Sequence, residues 1–114
     1  MGLEDSIDRN ERINIMKKYM LLYKGPATSP NASHEQWPGW FSKAGENLVS
    51  TGSPMERGFA LLSDGTTRDS ITNLNGYSII QADDIRDVIS LVKDHPFLSL
   101  GSSEYSIEIF ELAR

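Results

Sequence analysis

The chain contains no cysteine among its 114 residues. Without thiols there is no disulfide staple, no thiolate metal site and no cysteine nucleophile. That usage fits a reducing compartment and makes the cytoplasm the expected location. Long apolar runs are missing as well. The longest, residues 19–23, has five residues, where a membrane span needs about 20 and a secretory core about 7–15, so neither membrane insertion nor export is expected. Positive charge is scarce, with 11 Lys+Arg against 16 Asp+Glu and a net charge of -5. Nucleic-acid binding rests on clustered cations and counterion release, so no nucleic-acid partner is expected. No Gly-x-x-Gly or Lys-Ser/Thr follows Gly25-Pro26, and no Gly-x-Ser-x-Gly elbow surrounds Ser33, Ser50 or Ser53. Phosphate-loop and serine-hydrolase chemistry therefore have no support. The two histidines, His34 and His95, are not spaced as a His-x-x-x-His pair, and neither a metal nor an organic cofactor is expected.

What is present is the composition of one folded domain, 39% hydrophobic and 24% charged. Residues 1–15 carry Glu4, Asp5, Asp8, Glu11, Arg9 and Arg12 without a long apolar face and read as an N-terminal extension; residues 16–114 read as a single domain. Alternation over residues 18–24 predicts a strand that Gly25-Pro26 stops. Ser33 with Gln36 resembles a capping box ahead of a helical stripe of Trp37, Trp40, Phe41, Ala44 and Leu48. Pro38 would clash with the carbonyl of His34, so this helix should kink there or begin afresh at Pro38, and Gly45 should end it. A strand is predicted over residues 47–51, broken by Gly52-Ser53-Pro54. Residues 58–62 and 66–71 should form a hairpin closed by a two-residue Asp64-Gly65 turn. Residues 77–82 read as a buried strand, after which Asp83 should cap a helix with Ile85, Val88, Ile89 and Val92 as its stripe and Pro96 beyond its end. Residues 105–112 read as the last strand.

The resulting order, β-α-β-(hairpin)-β-α-β, is the split βαβ pattern of a ferredoxin-like α+β domain with an inserted hairpin. Two amphipathic helices cover one face of such a sheet, yet three of its strands carry apolar residues in both parities. The second face calls for a cover. A twofold partner would supply it by laying its own sheet against it, so a homodimer with a shared barrel-like core is expected; the alternative is a monomer whose hairpin and extension fold over that face.

The motifs Lys17-Lys18-Tyr19-Met20-Leu21-Leu22-Tyr23, Gly45-x-x-Leu48-x-x-x-Gly52, Asp64-Gly65, Gly76-Tyr77-x-x-Ile80-x-Ala82-Asp83-Asp84 and Asp94-x-Pro96-Phe97 with Gly101 resemble the YCII-related proteins, with the DGPF subgroup nearest. Where that subgroup's signature reads Asp-Gly-Pro-Phe, this chain has Asp64-Gly65-Thr66-Thr67. The resemblance covers residues 16–112 and implies a ferredoxin-like fold that dimerises into an α+β barrel. It also implies a His–Asp pair in a cleft, acting as an acid/base dyad; one characterised member removes chloride from a chlorinated hydroxyquinol.

Matched motif by motif, His34 stands at the helix histidine and Asp94 in the Asp-x-Pro element, which makes them the candidate catalytic pair. Imidazole is near half-protonated at neutral pH, and a carboxylate can hold its tautomer and stabilise its charged form. Tyr19, Trp37, Arg57 and His95 are candidates for substrate binding: the aromatic groups as pocket walls, Arg57 toward an anionic group, and His95 as the one other imidazole. The reading is a cofactor-independent enzyme acting on a small aromatic or carbonyl metabolite. The alternative is a small-molecule-binding or regulatory module without catalysis. A weaker third reading is a haem- or oxygen-using member of the wider α+β-barrel group with His95 or His34 as ligand.

Overall fold

A computed structural model describes residues 16–26, 36–100 and 104–113. The predicted extension, the Ser33 cap and His34 lie outside the described residues. The elements run β1 (Lys17–Lys24), α1 (Trp37–Ala44), β2 (Leu48–Pro54), β3 (Phe59–Leu61), β4 (Thr67–Asp69), β5 (Leu74–Ala82), α2 (Ile85–Val92) and β6 (Ser106–Glu111). Four strands form one antiparallel sheet in the order β2-β5-β1-β6, and β3 pairs with β4 in a separate two-stranded ribbon. The described residues therefore make a mixed α+β fold with two α-helices. No described helix is long and apolar enough to cross a membrane.

The register sorts the side chains into two faces, because successive residues of a strand point to opposite sides. On the covered face, Tyr19 stands between Ile80 and Glu111, Leu21 between Ser78 and Ile109, and Tyr23 between Gly76 and Ile107. Tyr19, Leu21, Tyr23 and Ile80 are completely or almost completely buried, together with Trp40 and Ala44 of α1, Val88 and Val92 of α2, and Phe97. The other face carries a row of Ile79, Met20 and Phe110 and a row of Tyr77, Leu22 and Glu108. Phe110 is 50% exposed there, and Met20, Leu22, Tyr77 and Ile79 are only half-buried.

Helix α1 begins at Trp37 with Pro38 in its first turn, where a missing N–H costs nothing, and Gln36 precedes it without a side-chain cap. Whether a turn precedes it at Ser33 falls outside the described residues. Gly45, at φ +56°, ends the helix as expected. Helix α2 is capped one residue later than the motif suggested. The carboxylate of Asp84, and not that of Asp83, accepts from the backbone N–H groups of Arg86 and Asp87 at 2.9 and 3.2 Å. The buried stripe is narrower than predicted, since Val88 and Val92 are buried while Ile85 and Ile89 are 43% and 52% exposed.

Two turn expectations are corrected. Gly52-Ser53-Pro54 does not break β2; the strand continues through it with register shifts. Gly52 stands at φ +73°, and a Cβ there would lie 1.8 Å from the Tyr77 carbonyl oxygen, so only glycine lets the bulged strand stay against β5. The hairpin is closed by three residues, not two. Leu62 N–H donates to Thr66 O, Gly65 N–H donates to Leu62 O, and Gly65 takes φ +88°. That is a turn followed by a left-handed residue, and Asp64 braces it by accepting from the Thr66 N–H and hydroxyl at 2.9 and 2.6 Å. Nor does the hairpin fold over the open sheet face, since Phe59 and Leu61 stay 66% and 75% exposed.

Candidate functional site

Asp94 and His95 leave the end of α2 side by side, and their side chains meet opposite environments. The Asp94 carboxylate is exposed and takes a 3.1 Å ion pair from the Lys43 ammonium in the last turn of α1. Both groups stand on an open groove of about 640 Å³ that runs between the helices to the end of β5, where Met16, Asn47, Asp83, Asp87 and Lys93 also line it. Two hydrogen bonds tie the segment after α1 to β5 beside the groove: Asn47 Nδ2 donates to Gln81 O at 2.8 Å, and Gln81 Nε2 donates to Glu46 O at 2.9 Å. The groove is therefore a polar, water-accessible cleft of both charges. It can orient a small polar molecule by hydrogen bonds and ion pairs.

His95 turns the other way, into the core, and is 2% exposed. Its ring lies 4.3 Å from that of Trp40, 4.7 Å from Trp37 and 4.8 Å from Tyr23, centroid to centroid, with the Trp37 ring nearly perpendicular. The backbone N–H of Phe97 donates to Nδ1 at 3.0 Å. An Nδ1 that accepts has no proton, so the neutral ring carries its hydrogen on Nε2, which is buried without a hydrogen-bond partner among the described residues. Burial lowers the pKa of His95 from 6.5 to about 4, so at neutral pH it is an uncharged N–H donor with neither lone pair free. That tautomer suits neither a general base nor a metal or haem ligand. Among the described residues no group of three or more His, Cys, Asp or Glu side chains stands together to hold a metal ion.

The other candidates are dispersed. Trp37 packs in the same aromatic cluster, against Tyr23, Phe41 and His95. Tyr19 is 1% exposed on the covered face; burial, then the carboxylates of Glu111, Asp84 and Asp87, raise its pKa above the ordinary value of 10. Arg57 belongs to the hairpin region, where it pairs with Asp69 at 2.9 Å and lies over the Phe59 ring at 4.8 Å. So Asp94 alone of the described candidates faces the groove, while Tyr19, Trp37 and His95 belong to the core and its aromatic cluster.

Two further features carry no local mark in the sequence. Lys43, the ion partner of Asp94, is an exposed lysine 51 residues away in sequence, and nothing beside it marks it as a site residue. The buried relay in which the Tyr23 hydroxyl donates to Ser78 Oγ at 2.6 Å and Ser78 Oγ donates to Thr51 O at 2.8 Å joins three strands; burial raises the Tyr23 pKa to about 12. Only a serine at an inward position of an otherwise apolar strand hints at this relay. No protein-family model matches the chain, and no curated protein matches it.

Proposed function

We propose that the chain is a YCII-related protein: a ferredoxin-like domain that pairs into a dimeric α+β barrel and acts, without an organic cofactor, on a small aromatic or carbonyl metabolite. The fold part of this reading is supported by the sheet order β2-β5-β1-β6, with one helix after β1 and one after β5. The dimer is supported by the uncovered apolar rows on the second sheet face. In the proposed reaction His34 transfers the proton and Asp94 orients it.

The observation that carries the site is the position of Asp94, with its carboxylate exposed on the rim of the helix-end groove and within reach of solutes. The test is a turnover screen of small aromatic and carbonyl compounds with wild type, His34→Ala and Asp94→Asn. One positioned imidazole supplies about 10²–10⁴-fold, so His34→Ala should lose turnover on that scale while its circular dichroism stays native. Equal activity in wild type and His34→Ala would sink the mechanism.

A second reading is a small-molecule-binding module without catalysis. It is favoured by the Lys43–Asp94 ion pair, which satisfies the carboxylate without a histidine. Its signature is a compound that raises the melting temperature while no product forms.

A further inference from the structure

His95 is a buried imidazole that the groove chemistry does not use, and it sits where several elements join. Tyr23 of β1 meets its ring at 4.8 Å, and Trp37 and Trp40 of α1 meet it at 4.7 and 4.3 Å. Trp40 in turn ties α1 to α2, its Nε1 donating to Leu91 O at 3.2 Å. Beyond His95 the 3₁₀ turn Pro96–Leu100 leads toward β6, with Phe97 2% exposed between Tyr23 and Tyr105. The side chain of His95 holds that turn by one polar bond, the Phe97 N–H donating to Nδ1 at 3.0 Å.

A second proton has one place to go on this ring. Nε2 already carries a hydrogen, so acid protonates Nδ1, the atom that accepts from Phe97. Two N–H groups cannot point at each other along one line, so the bond is lost. The Phe97 N–H and the new Nδ1–H are then donors without acceptors in an apolar cluster, beside an Nε2–H that has no partner among the described residues. Aromatic faces attract an imidazolium, yet they do not replace acceptors for three donors. Water does, once the turn opens.

No neighbouring charge offsets this. Tyr23 donates its hydroxyl to Ser78, and burial raises its pKa to about 12. Lys24 next to it pairs with Glu108, and Lys43 of α1 pairs with Asp94. Asp87 and Lys93 line the groove, Arg86 pairs with Asp84, and residues 96–100 carry no charge. Burial alone accounts for the fall of the His95 pKa from 6.5 to about 4.

We propose that His95 is an acid-operated latch: a proton taken from solvent onto Nδ1 displaces the Phe97 N–H and releases the Pro96–Leu100 turn, while the four-stranded sheet stays formed. The inference stands apart from the reaction and the dimer proposed above. Its test is hydrogen exchange of the full chain, read amide by amide by NMR between pH 7 and pH 4. The protection factor of the Phe97 amide should fall about 100-fold across that range, and at pH 4 this amide should exchange well ahead of the amides of β1. His95→Gln keeps an acceptor for the Phe97 N–H and does not titrate, so it should abolish the fall; Asp94→Asn should leave the fall in place. Equal protection of Phe97 and β1 at pH 4 overturns the latch, because the proton is then taken up only when the whole fold opens. A Phe97 protection factor that ignores pH, or a fall that survives His95→Gln, overturns it too. Should His95→Gln not fold, the wild-type profile and that of Asp94→Asn decide, and a fall abolished in Asp94→Asn assigns the proton to the wrong residue and overturns the latch.

Discussion

The two faces of the four-stranded sheet are built from the same strands, yet only one is finished. On the covered face Tyr19, Leu21, Tyr23 and Ile80 sit beneath two helices and the aromatic cluster around His95. One residue along each strand, Met20, Leu22, Tyr77, Ile79 and Phe110 point the other way and keep part of their surface in water. The difference is one of partners, since both faces are apolar. Buried packing is therefore concentrated on one side and exposed apolar surface on the other, an arrangement that experiments can break or sharpen.

The largest effect is expected from truncation on the finished side. Tyr23→Ala removes a fully buried ring and leaves the Ser78 hydroxyl without its donor, and it should cost about 3–5 kcal/mol in urea unfolding. Phe110→Ala, on the open side, should cost under about 1 kcal/mol in dilute protein, and the proposed dimer predicts a penalty that grows with protein concentration. Equal costs in dilute solution would erase the distinction between the faces.

The next effect is a pH dependence confined to the covered side. His95 binds a proton less readily in the folded chain, at about 4, than in the unfolded chain, at 6.5. The unfolded state therefore takes up more protons between those values. Stability should be complete above pH 6.5 and fall by up to about 3 kcal/mol as the pH drops to 4. His95→Gln should flatten that slope; an unchanged slope would place the acid sensitivity elsewhere.

The smallest effect is expected at the groove. Lys43→Met breaks an ion pair whose side chains are 58% and 53% exposed, so the loss should be about 0.5 kcal/mol or less and vanish in high salt. A larger loss that persists in salt would show that the Asp94 end of α2 depends on the pair for its position.

Much of the architecture was legible from alternation and turn residues. The order of elements, the Gly45 stop and the hairpin position all follow from local chemistry, because each depends on residues a few positions apart. The failures share a different cause. Whether Gly52 breaks a strand or bulges it depends on the Tyr77 carbonyl, 25 residues away in sequence. Whether Ile85 and Ile89 are buried depends on how α2 lies against the sheet, which periodicity does not fix. Of the described candidates, Asp94 is the one whose place on the groove agrees with an exposed polar position after a helix. His95 lies between an aspartate and a proline in a segment that reads as a loop, and its burial is created by Tyr23, Trp37 and Trp40, which come from other elements.

The bulge at Gly52 also bears on how far association can go. An outer strand with a regular ladder is a template for another strand, and a sheet with two such borders can grow without limit. Here one border is β2, where the register shifts twice and Pro54 has no N–H to give. The opposite border is β6, whose pairing with β1 is unbroken over its length. Among the described residues the four-stranded sheet therefore has one regular border, so strand addition at this sheet can join two copies through β6 and finds no second regular border from which to continue.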